Sequence, residues 1–308
     1  MKASVSAILL WLTLRHVALA EVAAQISTID RTALFVALLV LLAATMVAAL
    51  RWSIILSALG QPRGPGVTYP LSLIGLFFGQ ALPAGIGGDV VRVWLACKTG
   101  LTPRIAISSV LGDRLTGFFA ILLIVTAELP RAYRVLPKVM FEGLAVMLFA
   151  TYAAFVVVML VDKLPASLLR VRLFGEPAKI SADLRKTLLS PAGLLVLLCG
   201  AIVQLANVLA ILALAKGFHI QQAGLQNCLL VVPLANIAQS VPVSVAGWGV
   251  REGFFVAAFG VVGVTPSEAL AVSIVFGVLV IVSSLPGGVL WLLQGTGSPR
   301  KVREVSLP

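Results

Sequence analysis

Charge is scarce in this chain. Of its 308 residues only 11% are Asp, Glu, Lys or Arg, and 60% are hydrophobic. A soluble domain is about a quarter charged and about half apolar. With a mean hydropathy of +1.07, too little polar surface remains to face water. A soluble globule, a disordered chain and a nucleic-acid-binding domain are all disfavoured. The residues of active-site chemistry are equally sparse. There are two histidines, His16 and His219, and three cysteines, Cys97, Cys199 and Cys228, without a C-x-x-C pair. A disulfide framework, a metal site and a nucleophile–base set therefore lack their parts. No G-x-x-x-x-G-K-[ST] loop is present, so the chain carries no P-loop ATPase. No cofactor is expected, and the chain is not read as an enzyme.

Long apolar runs are what the sequence has instead. A bilayer core about 30 Å thick needs roughly 20 apolar residues per helix. Five stretches meet this: Arg31–Leu50, Arg104–Thr126, Val139–Val161, Ala192–Ala215 and Ala269–Leu293. Ser4–Leu14, continued through Val17–Ala20, predicts a further first span. A signal peptide ending near Ala18-Leu19-Ala20 is its rival. The expected fold is an all-α, polytopic membrane protein of about six to eight transmembrane helices, one membrane domain over 1–308. The net charge of +11 then reads as Lys and Arg in cytoplasmic loops, facing anionic lipid headgroups. Trp11, Trp52 and Trp291 stand near span ends, where an interfacial aromatic belt is expected.

Two further apolar stretches, Leu71–Leu95 and Leu229–Gly249, are broken by Pro and Gly, and they match each other. Gln80-Ala-Leu-Pro83-Ala-Gly85-Ile-Gly87-Gly88-Asp-Val-Val-Arg92 aligns with Gln239-Ser-Val-Pro242-Val-Ser-Val-Ala-Gly247-Trp248-Gly249-Val-Arg251, offset by 159 residues. Further on, Thr102-Pro103 and Thr265-Pro266 both read as helix starts. The repeat-like halves cover about 31–128 and 190–293, separated by a polar cytoplasmic loop over 162–190. Three spans between the copies reverse the chain, so the halves are expected to be inverted. Inverted repeats with broken helices are a recurring transporter architecture, with the site near the midplane.

Loop charges favour re-entrant segments over full crossings. If both broken stretches return to their own side, Lys and Arg split 15 inside to seven outside, with Arg114 left within a span. Full crossings bring the split near 12 to 10. The positive-inside rule selects the first, with both termini cytoplasmic.

Charges inside a bilayer face a cavity or a partner. Asp89 and Arg92 stand three apart, Asp113 and Arg114 lie inside a span, and Arg251 and Glu252 follow the second glycine turn. These six sum to zero, which allows mutual neutralisation that locks the segments in place. It equally allows a polar cavity for a charged headgroup, since Arg donates a fork of hydrogen bonds to phosphate. Gln80, Gln239 and Trp248 are candidate lining residues. The amides can instead cap freed backbone groups, and Trp248 can anchor at the interface. Pro83, Gly85, Gly87, Gly88, Pro242, Gly247 and Gly249 are the expected turn or hinge positions.

The stretches Phe77-Phe78-Gly79-Gln80 through Arg92, Ser108-Ser109-Val110-Leu111-Gly112-Asp113-Arg114, Val241-Pro242 through Glu252-Gly253, and Ser284-Leu285-Pro286-Gly287-Gly288 resemble the lysylphosphatidylglycerol synthase transmembrane family. The resemblance runs from about residue 30 to 293. It implies a lipid-flippase-like domain of the bacterial inner membrane, with its polar site around Asp89, Arg92, Asp113, Arg114, Arg251 and Glu252. The chain ends at Pro308 without the transferase domain of the full-length synthase, so synthesis of lysylphosphatidylglycerol is not expected of it. The implied partners are membrane lipids. The competing readings are an accessory subunit presenting lipid to a separate lipid-modifying transferase, and an enzyme acting on a lipid phosphate.

Overall fold

The structure is a computed structural model that describes residues 19–81, 87–165, 172–240 and 248–294. Ser4–Leu14, Trp11, Pro83, Gly85, Pro242 and Gly247 lie outside the described residues, and with them the choice between first span and signal peptide. Among the described residues the chain forms twelve α-helices. They are α1 (Leu19–Thr28), α2 (Arg31–Ala58), α3 (Pro65–Ala81), α4 (Gly87–Lys98), α5 (Pro103–Ala127), α6 (Leu129–Val135), α7 (Lys138–Leu160), α8 (Arg172–Leu188), α9 (Pro191–Gly217), α10 (Leu225–Ser240), α11 (Val250–Val261) and α12 (Pro266–Gln294). Five are long and apolar enough to cross a bilayer, namely α2, α5, α7, α9 and α12. They are the five spans expected from hydropathy.

Both Thr-Pro pairs start helices as expected. Thr102 Oγ1 accepts from Ile105 N at the head of α5. Thr265 and Glu268 exchange bonds at the head of α12, the reciprocal form of a capping box.

The broken stretches become helical hairpins. α3 has 17 residues and α4 has 12, so at 1.5 Å per residue they reach about 25 and 18 Å, short of a bilayer core. α10 and α11, with 16 and 12 residues, match them. α3 and α4 run antiparallel with their backbones nearly touching, because Gly88 sits against Gly75 and Gly79.

The hairpins open at opposite ends of the bundle. At the first end Arg63 Nη2 donates to Thr99 O across the base of the α3–α4 hairpin, 3.2 Å away. At the second end Asp30 N donates to Gly217 O and Arg131 to Asn227. There the loops bounding α10 and α11 approach each other, with Gly263 beside Gln222. The packing partners repeat as well. Exchanging α2, α3, α4 and α5 for α9, α10, α11 and α12 converts each main contact into another that is also present: α3–α4 into α10–α11, α3–α12 into α10–α5, α5–α9 into α12–α2. α2 and α9 pack on each other at the centre, and small residues such as Ala37, Ala210 and Ala215 line that core. Without a hydrophobic drive in lipid, close packing of small residues is what holds such helices together.

Three sequence expectations need correcting. α2 does not stop at Leu50. It continues to Ala58 and ends at a turn where Gly60 has φ 75°, the left-handed conformation that closes many helices. Trp52 is therefore not an interfacial anchor but fully buried, bonded through Nε1 to Ser109 Oγ. The supposed loop 162–190 contains α8, which buries Ala178, Ser181, Leu184 and Thr187 at a spacing of three. Arg104 and Ser108 bond its Asp183, and Arg185 bonds Asp162. High charge masked that narrow buried stripe.

The α3–α12 contact makes a first prediction. A Cβ on Gly287 would meet the backbone carbonyl of Leu73, so Gly287→Leu must force the helices apart. The expected loss is about 1–3 kcal/mol or more, read as a lower thermal midpoint in detergent. Gly260→Ala, where nothing lies within 4 Å, is the control and should not lower it.

Candidate functional site

The polar site is assembled by four helices of the first half. α5 places Asp113 inside the bundle, only 4% exposed. Its Oδ1 accepts from Arg51 Nε of α2 at 2.8 Å, and its Oδ2 from Arg92 Nη1 of α4 at 2.9 Å. Arg51 is 7% exposed and Arg92 9%. The Arg92 guanidinium lies 4.3 Å from the centre of the Trp52 ring, a cation–π contact. α3 contributes the space, since Gly75 faces the Arg92 side chain. Gly117 and Gly200 do the same for Arg51, with Arg51 Nη1 only 2.9 Å from where a Gly117 Cβ would stand.

Sequence neighbours do not pair here. Successive helical residues point about 100° apart, so Asp113 turns inward while Arg114 turns out, its side chain 58% exposed. Arg114 Nε donates to Asp89 Oδ2 of α4 at 2.7 Å. Asp89 Oδ1 lies 3.8 Å from Arg92 Nη1, beyond hydrogen-bond range. The expected Asp89–Arg92 pairing on one helix face is thus the weaker contact, and the strong ones run between helices. Two buried atoms of this network make no hydrogen bond, Asp89 Oδ1 and Arg92 Nε.

Depth follows from helix rise. Asp113 lies ten residues from the start of α5 and Arg92 six from the end of α4, which puts them about 15 and 9 Å in from the first end.

Arg251 and Glu252 form a separate and closed unit. Glu252 is 0% exposed, and its Oε2 accepts from Gly249 N at 2.6 Å. Its Oε1 accepts from Arg251 Nη2 at 2.6 Å and from Ser273 Oγ of α12 at 3.2 Å. Gly249 has φ 89°, a conformation that favours glycine, and Gly277 leaves the room Arg251 fills. Trp248 stacks on Arg251, 4.8 Å from ring centre to guanidinium carbon. Gln239 Nε2 donates to Ala235 O within its own helix, at 3.3 Å. Gln80 is partly buried near the end of α3 and makes no hydrogen bond among the described residues. Gly87 and Gly88 open α4. No hydrogen bond or ion pair among the described residues links the two charge clusters.

Arg51 does not stand out in the sequence, where it reads as a loop charge ending a span. The apolar run Ile54-Ile55-Leu56 beyond it was the available signal that the helix continues. Including Arg51 changes the charge balance. Among the described residues Arg51, Arg92 and Arg114 pair only with Asp89 and Asp113, an excess of one positive charge, while Arg251 and Glu252 cancel.

Comparison with curated proteins gives no match. The model of the lysylphosphatidylglycerol synthase transmembrane region matches residues 1–287. A bundle whose charged network rests on the G-I-G-G-D-V-V-R and G-D-R segments, matched over nearly its whole length, belongs to the lysylphosphatidylglycerol synthase transmembrane-region family.

Proposed function

We propose that the chain translocates a lipid with an anionic headgroup across the bacterial inner membrane. The observation that carries this reading is the network on Asp113, a charged assembly at mid-membrane depth with one positive charge in excess and one arginine exposed. A purely structural network would be expected to balance, because an uncompensated charge at such depth is costly. Family membership supports the lipid. The two hairpins, opening from opposite ends, supply segments that can expose a headgroup first to one leaflet and then to the other. The first end carries Arg63, Lys98, Arg104 and the basic α8, which favours it as the cytoplasmic side. In this reading Arg114 meets phosphate and Arg92 responds to it from within the bundle, while Asp89 and Asp113 hold the arginines in place. Arg251 and Glu252 brace the second hairpin. Enzymatic chemistry is not part of the reading.

The test is lipid transfer in proteoliposomes containing the purified full chain. Labelled phosphatidylglycerol, lysylphosphatidylglycerol and a polyprenyl phosphate are compared with protein-free vesicles. Transfer of at least one lipid, reduced at least tenfold by Arg92→Ala in protein that still elutes as a single species, is expected. Protein that binds lipid but moves none of the three would favour the accessory-subunit reading, and a modified lipid product would favour the enzyme reading.

A further inference from the structure

We infer that Arg114, presented by Asp89 on the outer face of α5, is the docking point for a singly charged phosphodiester headgroup that arrives laterally from the leaflet at the first end. This rests on the lipid reading above and adds three things to it: the contact residue, the charge class and the route.

The contact residue follows from what each arginine still has to offer. Arg51 is buried and engaged through Nε, and Arg92 is buried beneath Trp52 and engaged through Nη1. Arg114 alone of the three is exposed. It is tethered only by Nε, so both of its terminal Nη groups are without a hydrogen bond among the described residues. A guanidinium held by Nε, with its Nη groups turned outward, keeps donors directed at an approaching phosphate.

The charge class follows from the excess. Three arginines against two aspartates leave a charge of +1, and the neighbouring segment Leu82-Pro83-Ala84-Gly85-Ile86 contains no ionisable side chain to cancel it. One phosphodiester neutralises this excess. A phosphomonoester in its dianionic form overshoots it, and a zwitterionic headgroup with no net charge leaves it standing.

Asp89 responds to the bound anion. Its Oδ1 has no hydrogen bond, and nearby Arg92 Nε is an unmatched donor on the same helix. Phosphate on the Nη groups shares the charge of Arg114 with Asp89, whose unbonded Oδ1 can then lean toward Arg92 while Oδ2 keeps the bond to Nε. Headgroup arrival is thereby passed to the Arg92–Asp113–Arg51 chain and to the glycine-packed hairpin that carries Arg92.

The route is written on α5. Arg104, Ile107, Leu111 and Arg114 are all exposed and fall on one stripe. Arg104 stands at the first end and Arg114 ten residues deeper, about 15 Å along the helix. Ile107 and Leu111 between them offer an apolar surface to acyl chains, so a lipid can descend without leaving the bilayer.

The experiment measures retention of lipid by the purified full-length protein, by native mass spectrometry and by lipid-dependent thermal shift. The probes are phosphatidylglycerol, phosphatidic acid, phosphatidylcholine and the water-soluble glycerophosphoglycerol, against native protein, Arg114→Ala, Arg114→Lys and Asp89→Asn. Phosphatidylglycerol should be preferred at least tenfold over phosphatidylcholine and several-fold over phosphatidic acid at pH 8. Arg114→Ala should remove the preference and Arg114→Lys should restore only part of it, because an ammonium lacks the fork. Asp89→Asn loosens the tether on Arg114 but raises the excess to +2, so it should retain binding and lose the margin of phosphatidylglycerol over phosphatidic acid. Glycerophosphoglycerol binding as tightly as the lipid would overturn the lateral route and leave a phosphate site open to water.

Unchanged lipid preference in well-folded Arg114→Ala overturns the site. Equal or stronger retention of phosphatidic acid overturns the charge class. Arg114 is exposed, so its loss should not unfold the protein, and an unchanged thermal midpoint without lipid verifies this. Failure here is separable from failure of the transport reading. Binding that follows Arg114 without lipid transfer sinks transport alone, and transfer that ignores Arg114 sinks this site alone.

Discussion

Asp113→Ala is expected to destabilise the protein by about 3–5 kcal/mol, the range for breaking a buried ion pair from one side. The substitution strands two arginines, Arg51 at 7% exposure and Arg92 at 9%, in a site closed by Gly75, Gly117 and Gly200. Arg51 cannot swing to water without disturbing the α2–α5–α9 contacts, nor Arg92 without disturbing the α3–α4 packing. The readouts are yield of monodisperse protein in detergent and the thermal midpoint. Asp113→Asn should fall between the native protein and Asp113→Ala, because the amide oxygen still accepts a bond while the charge is gone. Adding Arg51→Met to Asp113→Ala should recover part of the loss, as coupled neighbours in one network do. A double variant no better than Asp113→Ala would show that lost packing, not an unpaired charge, causes the effect.

Glu252→Ala is the second large effect. Glu252 is wholly buried and serves three donors: Gly249 N, the Arg251 guanidinium and Ser273 Oγ. Removing it takes away the acceptor at the head of α11, where a lost cap costs about 0.5–2 kcal/mol. It also leaves Arg251, 4% exposed, without its counter-charge, and buried charges left this way cost about 3–5 kcal/mol. Glu252→Gln should be milder, since it retains one acceptor oxygen. The decisive comparison is Arg251→Met with Glu252→Gln, which removes both charges together. That pair should be more stable than Glu252→Ala, and a result at or below Glu252→Ala would remove the ion-pair account of this unit. Lipid preference in Glu252→Gln should follow the native protein, because among the described residues its cluster has no bond to the Arg114 site.

Hydropathy, helix-start chemistry and motif spacing were enough to place the five spans, both Thr-Pro helix heads, the two broken segments and the family. These are local or periodic properties. An apolar run about 20 residues long has one stable form in lipid, and Thr before Pro caps a helix wherever it lies. The charge motifs were legible for the same reason, because any ionisable residue in an apolar run stands out.

Pairing was not legible. Asp113 and Arg114 are adjacent in sequence yet face different partners, and Asp89 bonds Arg114 more closely than it approaches Arg92. Arg51 was invisible as a site residue because its role depends on a carboxylate 62 positions away and on glycines from two other helices. α8 was hidden by its own charge, since its buried stripe is defined only by the helices it lies on. Hydropathy and local chemistry alone pick out the five long spans and the charges that stand inside apolar runs, but not α8 or the last two turns of α2. Which charge meets which, and therefore where one positive charge is left over, is settled by helix packing. Ion pairing depends on distances between helices, and those distances are set by small residues whose effect appears only once the helices are packed.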